Sequence, residues 1–411
     1  MPATVARVAR AAAPTSSSSG PAYVATVSFV ASRAVPFGGF FVALPGGVAL
    51  ARVAQRRGLR HGFGASLATL IETIALMGPA RFGVPFTQAL SAPVLGRMES
   101  RSIAVLWQIV ACSAIRLFQN GLGTLFFIFI IAGGLDAFAG SARNVADLVG
   151  LQVGAADALL LTFAGILTWT IFASTVQVTV YRRGLLRWER SPAGEAVEPE
   201  ELSGHRGRFD PRAVAVAAAI GFGLLLASTE WPLLAGVAAA LALAWALSRP
   251  DNSTVPTGLG LAALLAFGAL VFALVGGLGI EVALRRALRA ALLVSVATWL
   301  RAAAGASGLR EVSRRMLARV RFVPGVPEAA HTLEEIGSEG RLLAAGRSLV
   351  DRLSGVPRRP APFLDAVLTW VNRESASFRP AVPAPLPVLA VRLADVALVI
   401  LAAAPAAALF L

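Results

Sequence analysis

Long apolar blocks separated by short arginine-rich segments are the feature that most restricts how this chain folds. Several blocks reach the roughly 20 residues that a helix needs to cross a hydrocarbon core of about 30 Å. Over the 411 residues the hydrophobic share is 56% and the mean hydropathy is +0.70. Inside lipid every backbone polar group needs an internal partner, so such blocks form helices. The sequence therefore predicts an all-α, polytopic helical integral membrane protein.

The predicted spans fall into two groups on either side of a polar break. Residues 189–211 contain proline, glycine and several glutamates, which is typical of a linker. We predict a first membrane half at 34–188, of no family that its residues indicate, and a second at 212–411. Residues 1–33 lack the continuous apolar core of a signal peptide and are predicted to be a disordered tail. The spans are 34–51, 63–80, 82–96, 102–118, 121–140, 155–181, 213–228, 231–247, 259–280, 287–300 and 386–411.

Two pairs of these spans depend on short local signals. Residues 63–80 and 82–96 are either two full spans or a broken pair of short helices. Residues 102–118 and 121–140 are predicted to form a helical hairpin, because the Asn120-Gly121 dipeptide between them is a turn signal.

Arginine sets the predicted orientation of the chain. The net charge is +14, and every one of the 37 basic residues is arginine. Basic residues beside span ends mark the cytoplasmic side, so we expect the clusters at 52–60, 182–190 and 310–321 to be cytoplasmic. Arg285 and Arg286 then fall on the outer side, against the trend. Aromatic residues do not interleave with a basic stripe, so we do not expect nucleic-acid binding.

The longest polar segment, 301–385, is predicted to be a cytoplasmic set of helices. Its apolar residues recur at helical spacing between arginines, which indicates amphipathic helices. Such helices either lie on the anionic inner leaflet or form a docking surface for a partner protein.

The sequence shows none of the common catalytic or metal-binding motifs. His61, His205 and His331 are far apart in the sequence, and Cys112 is the single cysteine. We find no phosphate-binding loop, nucleophile elbow or metalloprotease motif, so we expect neither an enzyme nor a cofactor or metal site.

Glu72 and Arg116 are ionisable residues that lie within predicted membrane spans. Ionisable groups inside a membrane are costly and are functional candidates by default. The two side chains could face each other or a cavity. Asp136 and Asp157 are closer to span ends, where they can reach water.

Three short motifs in the second half carry a family resemblance. They are Phe209-Asp210-Pro211-Arg212 before two close spans, the run 307–317 followed by Arg321-Phe322-Val323-Pro324, and Val391-Arg392-Leu393-Ala394-Asp395 in the last span. Through them, residues 208–411 resemble the transmembrane T component of energy-coupling factor (ECF) transporters. The resemblance implies a multi-pass protein of the cell inner (plasma) membrane and a coupling-helix segment at 301–385. Its implied partners are cytoplasmic ABC-type ATPase subunits and a substrate-binding membrane subunit within the lipid bilayer.

The family grips its ATPases through two short motifs with a central arginine. In this sequence the corresponding positions lack that central residue, and Arg341 and Arg373 are the nearest arginines. With Arg347 and Glu374 beside them, they are the candidate partner-binding residues. Two other functions stay open. One is a membrane scaffold whose basic platform binds lipid or another protein, and the other is a fused substrate-binding and coupling protein.

Overall fold

The structure is a computed structural model, and every ordered element among the residues that it describes is a helix. Those residues are 18–34, 39–79, 85–132, 134–148, 150, 154–188, 208–248, 255–337, 339–357, 359–381 and 392–409. The predicted all-α fold is confirmed. Most of the predicted linker, 189–207, lies outside the described residues.

Fifteen α-helices, one π-helix and one 3-10 turn follow one another along the described chain. They are α1 Ser19–Ala34, α2 Gly39–Arg57, α3 Leu59–Met77, α4 Pro85–Ser100, α5 Val105–Phe126, the π-helix Phe127–Ala132, α6 Leu135–Leu148, α7 Ala155–Leu186, α8 Pro211–Ala227, α9 Trp231–Leu247, α10 Val255–Val275, α11 Ile280–Arg319, α12 Val326–Glu335, α13 Glu339–Ser354, α14 Pro360–Ser377, α15 Leu393–Ala403 and the 3-10 turn Ala404–Leu409.

Four helices are long and apolar enough to cross a membrane. They are Val105–Ile130, Leu159–Leu186, Val255–Val275 and Ile280–Arg319. On the first two, large apolar side chains face outward, including Leu106, Leu122 and Leu160, which are each more than 60% exposed. Three shorter apolar helices, formed by α8, α9 and α15 with its 3-10 turn, accompany them. This arrangement is that of a helical membrane protein.

The helices pack around two main cores, and the division between them differs from the predicted halves. One core joins α1–α4 to α12–α14, the end of α7 and the last turns of α11. The other lies between α8, α9, α11 and α15. The first half therefore does not pack as a unit of its own. Its first four helices share their buried faces with the segment 301–385 instead.

Two predictions about the first 140 residues are wrong. Residues 1–17 of the predicted tail lie outside the described residues, but residues 19–33 belong to α1, in which Ala22, Tyr23 and Val24 are buried against other helices. The predicted hairpin around Asn120 is instead one continuous helix, α5. Gln119 and Asn120 need no turn, because they hydrogen-bond to Thr87 and Thr170 on neighbouring helices.

Residues 63–80 and 82–96 correspond to two separate helices, α3 and α4, and neither is among the helices long and apolar enough to cross a membrane. This outcome agrees with the alternative of two short helices.

Helix α11 is longer than its predicted span, which ended at residue 300. It continues to Arg319, with one interruption at Gly305, where φ is 70° and ψ is 166°. A positive φ of this kind is accessible to glycine at little cost. The predicted span and the start of the predicted cytoplasmic segment are therefore parts of one kinked helix.

The helices of the second half run between two ends of the molecule. At the Asp210 end, the Asp210 backbone N–H donates to Asp395 Oδ1 at 2.8 Å, and Trp299 Nε1 donates to Ser248 Oγ at 3.3 Å. At the opposite end, which we call the Glu230 end, Arg285 pairs with Glu230 at 3.0 Å.

Arginines of the three predicted clusters pair with acidic residues on helices of the segment 301–385. Arg60 pairs with Glu328 of α12, Arg187 pairs with Asp365 of α14, and Arg314 pairs with Glu334 of α12.

Candidate functional site

Glu72 is the buried acid at the centre of the site. It lies five residues before the end of α3, with no solvent exposure. Arg310 of α11 reaches it with two nitrogens: Nε donates to Oε2 at 2.7 Å, and Nη2 donates to Oε1. The remaining Arg310 nitrogen, Nη1, donates to the Gly337 carbonyl at 2.6 Å. This is the two-pronged geometry in which a guanidinium fixes a carboxylate.

A second arginine of α11 holds the end of the same helix. Arg301, only 2% exposed, donates from Nε to the Leu76 carbonyl and from Nη2 to Glu339 Oε1, both at 3.0 Å. Carbonyls in the last turn of a helix lack intrahelical partners, so an arginine there satisfies them. Gly78 follows with φ of 82°, and a Cβ on it would lie 3.0 Å from the Arg301 Cβ. Glycine is thus required for this close approach.

These groups form one unit, which we call the α3 clamp: Glu72, the Leu76 carbonyl, Arg301, Arg310 and Glu339. The clamp joins α3 to α11 and α13, which are more than 200 residues later in the chain. Buried charges persist in a fold only when each has a partner and its hydrogen bonds are made. In the clamp, Arg310 pairs with Glu72 and Arg301 pairs with Glu339, so the charges are matched and α3 is fixed against the segment 301–385.

The possible pairing of Glu72 with Arg116 is wrong. Arg116, 5% exposed on α5, donates from Nη2 to Gln177 Oε1 at 2.6 Å, and its guanidinium lies 5.7 Å from the centre of the Phe40 ring. Gln177 in turn donates to Ser91 Oγ at 2.6 Å. Among the described residues no carboxylate pairs with Arg116, so its positive charge is stabilised by an amide and an aromatic face.

The Arg341 side chain makes its contacts within the protein rather than presenting itself to a partner. Its guanidinium stacks between Tyr23 and Phe378, at 5.0 and 4.5 Å from the ring centres, and Nη1 donates to the Arg379 carbonyl at 2.6 Å. A cation held over two aromatic rings is stabilised by their electron-rich faces. Arg341 therefore joins α1, α13 and the end of α14.

Burial shifts the titration of the groups around Arg341. It raises the pKa of Glu374, although the charges of Arg341 and Arg352 oppose the shift. Burial and the nearby Glu374 charge raise the pKa of Tyr23 to about 12. Of the four predicted partner-binding residues, Glu374 is half-buried, whereas Arg347 on α13 and Arg373 on α14 are exposed.

The arginines that the predicted topology places on the outer side, against the charge trend, have structural partners. Arg289, 7% exposed, donates to three carbonyls: Leu225 at 2.6 Å, Leu226 at 3.1 Å and Ile130 at 3.1 Å. Arg286 donates to the carbonyl of Ala132. The two side chains thus cap the end of α8 and the π-helix, where carbonyl groups concentrate negative charge. Helix capping explains arginines at the Glu230 end.

Sequence reasoning missed Arg301, Arg310 and Arg289. An acid such as Glu72 inside an apolar block signals that a partner exists. With 37 arginines in the chain, however, spacing does not select one of them.

Comparison with known proteins gives no relative. No family model matches the chain, and no match is found among the curated proteins or the solved structures. Within the described part of the chain, no group of three or more His, Cys, Asp or Glu side chains is placed to hold a metal ion.

Proposed function

We propose that this protein is the transmembrane coupling subunit of an ATP-driven importer of the energy-coupling factor type, as a multi-pass protein of the cell inner (plasma) membrane. In this proposal the Asp210 end faces the cytoplasm. Cytoplasmic ABC-type ATPases bind the segment 301–385, and a substrate-binding membrane part receives the movement. The motifs at 209–212, 307–324 and 391–395 are the sequence support.

The observation that carries the proposal is the attachment of α11 at both of its ends. Near the Asp210 end, Arg301 and Arg310 belong to the α3 clamp and so connect α11 to the coupling helices. Near the Glu230 end, Arg286 and Arg289 bind the carbonyls of the π-helix. A coupling subunit must transmit displacement across the membrane, and a helix held by directional hydrogen bonds at both ends can do so.

Arg347 and Arg373 are the residues that we assign to ATPase binding. Both are exposed on coupling-segment helices, whereas Arg341 is engaged by Tyr23 and Phe378. A guanidinium presents a rigid fork of donors, so it pairs with carboxylates and helix ends in a defined geometry.

The test is retention of an ATPase on the purified protein. We expect Arg347→Glu with Arg373→Glu to release co-purifying ATPase while the melting temperature stays unchanged. The matched control is Arg101→Glu with Arg183→Glu, which makes the same charge change at two exposed arginines outside the coupling segment. Equal loss for both pairs would instead support a lipid-binding platform, because attraction to an anionic leaflet sums over charges. Absence of any ATPase from the wild-type preparation would reject the proposal.

A second candidate, a fused substrate-binding and coupling protein, is favoured by one observation. The α3 clamp holds part of the first half against the segment 301–385. A separate substrate-binding subunit would then be unnecessary, and import would need only this chain and its ATPases. Transport by the chain with ATPases alone, reconstituted in vesicles, distinguishes the two.

A further inference from the structure

Arg116 is a buried positive charge inside one of the helices long enough to cross a membrane. It lies near the middle of Val105–Ile130 and is 5% exposed. Its guanidinium donates to the Gln177 side-chain oxygen and lies over the Phe40 ring. Both groups attract a cation, but neither carries a negative charge. Because an ionised group in a membrane is costly unless its charge is balanced, Arg116 requires a counter-ion.

Two other buried arginines show how this fold satisfies such a group. Arg301 donates to the Glu339 carboxylate, and Arg289 donates from three nitrogens to three main-chain carbonyls. Arg116 has neither kind of partner among the described residues, where its oxygen partner is a neutral amide. The difference lies in the surroundings of Arg116 and not in how deeply it is buried.

Within the described helices around Arg116, no acid is placed to reach its guanidinium. Helices α2, α4, α5 and α7 contain two acidic residues, Glu99 and Asp157. Glu99 accepts a hydrogen bond from Gln108, which precedes Arg116 by eight residues, or about 12 Å of helix. Asp157 precedes Gln177 by 20 residues, or about 30 Å of helix. The charge of Arg116 is therefore not balanced by an acid of these four helices.

Hydrogen-bond donors beside the guanidinium lack an acceptor. Arg116 Nε–H and the Ser174 hydroxyl are both buried without a partner among the described atoms. Thr175 and Thr179, on the same helix as Ser174, donate to the carbonyl four residues earlier, whereas Ser174 does not. The Cys112 thiol, a further weak donor with no exposure, lies beside Arg116 and Ser174. Water would accept these hydrogen bonds but leave the charge unbalanced, whereas an anion does both.

We propose that a small monovalent anion of the halide class, such as chloride, binds between α5 and α7 at Arg116 and Ser174. One unbalanced guanidinium requires one negative charge. Arg116 and Ser174 are at most 5% exposed, so the site excludes bulky organic anions. By accepting hydrogen bonds from both helices, the anion stabilises their packing. This inference does not rest on the proposed coupling function.

The test is the anion dependence of the stability of the purified full chain in phosphatidylcholine nanodiscs, with no ATPase present. Sodium chloride or sodium bromide replaces sodium gluconate at constant ionic strength, and scanning calorimetry gives the melting temperature. A ligand that binds only the folded chain raises this temperature as its concentration increases. We expect chloride and bromide to raise it, relative to gluconate, which is too large for the site.

Three variants locate the anion. Arg116→Gln is expected to abolish the response to chloride and to melt no lower than wild type in gluconate, because the charge that needs a counter-ion is gone. Ser174→Ala removes one hydrogen bond to an ion and is expected to weaken the apparent chloride affinity by about tenfold. The matched control is Arg182→Gln, the same substitution at an arginine that pairs with Glu99, and it should keep the wild-type response.

Three results would overturn the proposal. The first is a wild-type melting temperature that is equal in chloride and gluconate. The second is an undiminished chloride response in Arg116→Gln or, if that variant does not fold, in Ser174→Ala. The third is a chloride response that appears only in Cys112→Ala, which would make the Cys112 thiolate the counter-ion. Since ATPase is absent from these experiments, none of these results bears on the coupling proposal.

Discussion

Removal of the Glu72 carboxylate is the sharpest test of the α3 clamp. Glu72→Leu removes the paired carboxylate of Arg310 and leaves the Gly337 carbonyl as its described hydrogen-bond partner, with Glu339 as the remaining nearby carboxylate. Two unit charges about 4 Å apart attract by about 4 kcal/mol at an effective dielectric constant of about 20. Removing one partner of a buried pair typically costs about 3–5 kcal/mol, because the other charge stays buried and unpaired. We therefore expect Glu72→Leu to lower the free energy of unfolding by that amount.

A double-mutant cycle separates the pair from a simple packing effect. Replacement of both partners by apolar residues is often nearly neutral, so Glu72→Leu with Arg310→Met is expected to recover at least about 2 kcal/mol relative to the sum of the single changes. The assay is unfolding of the detergent-solubilised protein, followed by tryptophan fluorescence. Asp365→Leu is the matched control, because Asp365 pairs with Arg187 at an exposed site where both side chains are at least 60% accessible. Exposed pairs contribute about 0–1 kcal/mol.

Two results would refute this reasoning. In the first, Glu72→Leu destabilises no more than Asp365→Leu. In the second, the two single changes at Glu72 and Arg310 are strictly additive. Either outcome means that the carboxylate and the guanidinium do not stabilise each other in the folded protein.

Two further predictions concern other charged groups. Arg289→Leu leaves three carbonyls without their donor and should destabilise the protein by roughly 2–4 kcal/mol in the same assay. Arg289→Lys should keep part of the stabilisation that Arg289 provides. An unchanged stability for Arg289→Leu would contradict the capping role. Burial raises the pKa of Glu374, so its stabilisation is complete below the unfolded pKa of about 4.3 and is lost as pH rises through the higher folded value. Glu374→Gln stays neutral, so thermal melts should show it more stable than wild type at pH 7.5 and equal to wild type at pH 4; an equal gain at both pH values would argue against the shift.

The sequence by itself determined the fold class and many of the helices. Apolar blocks of membrane-spanning length leave the backbone no alternative to helix, so α9 was predicted at its observed bounds, 231–247. The same reasoning failed at Asn120, where a turn signal was outweighed by a hydrogen bond to Thr170 on another helix. Helix α1 was missed because its burial depends on tertiary packing, both against α2 and α3 and against distant residues that include Arg341 and Phe378.

Only the tertiary structure decided which charges meet. The sequence indicated that Glu72 requires a partner, but not that Arg310, 238 positions later, is that partner. It also offered Arg341 as a surface residue, whereas stacking between two aromatic rings draws it into the fold. Local periodicity constrains which backbone conformation forms and which face of a helix is apolar. The pairing of buried charges depends on long-range packing. All the arginines are chemically identical, so only their positions in the folded protein decide which of them reaches a given acid.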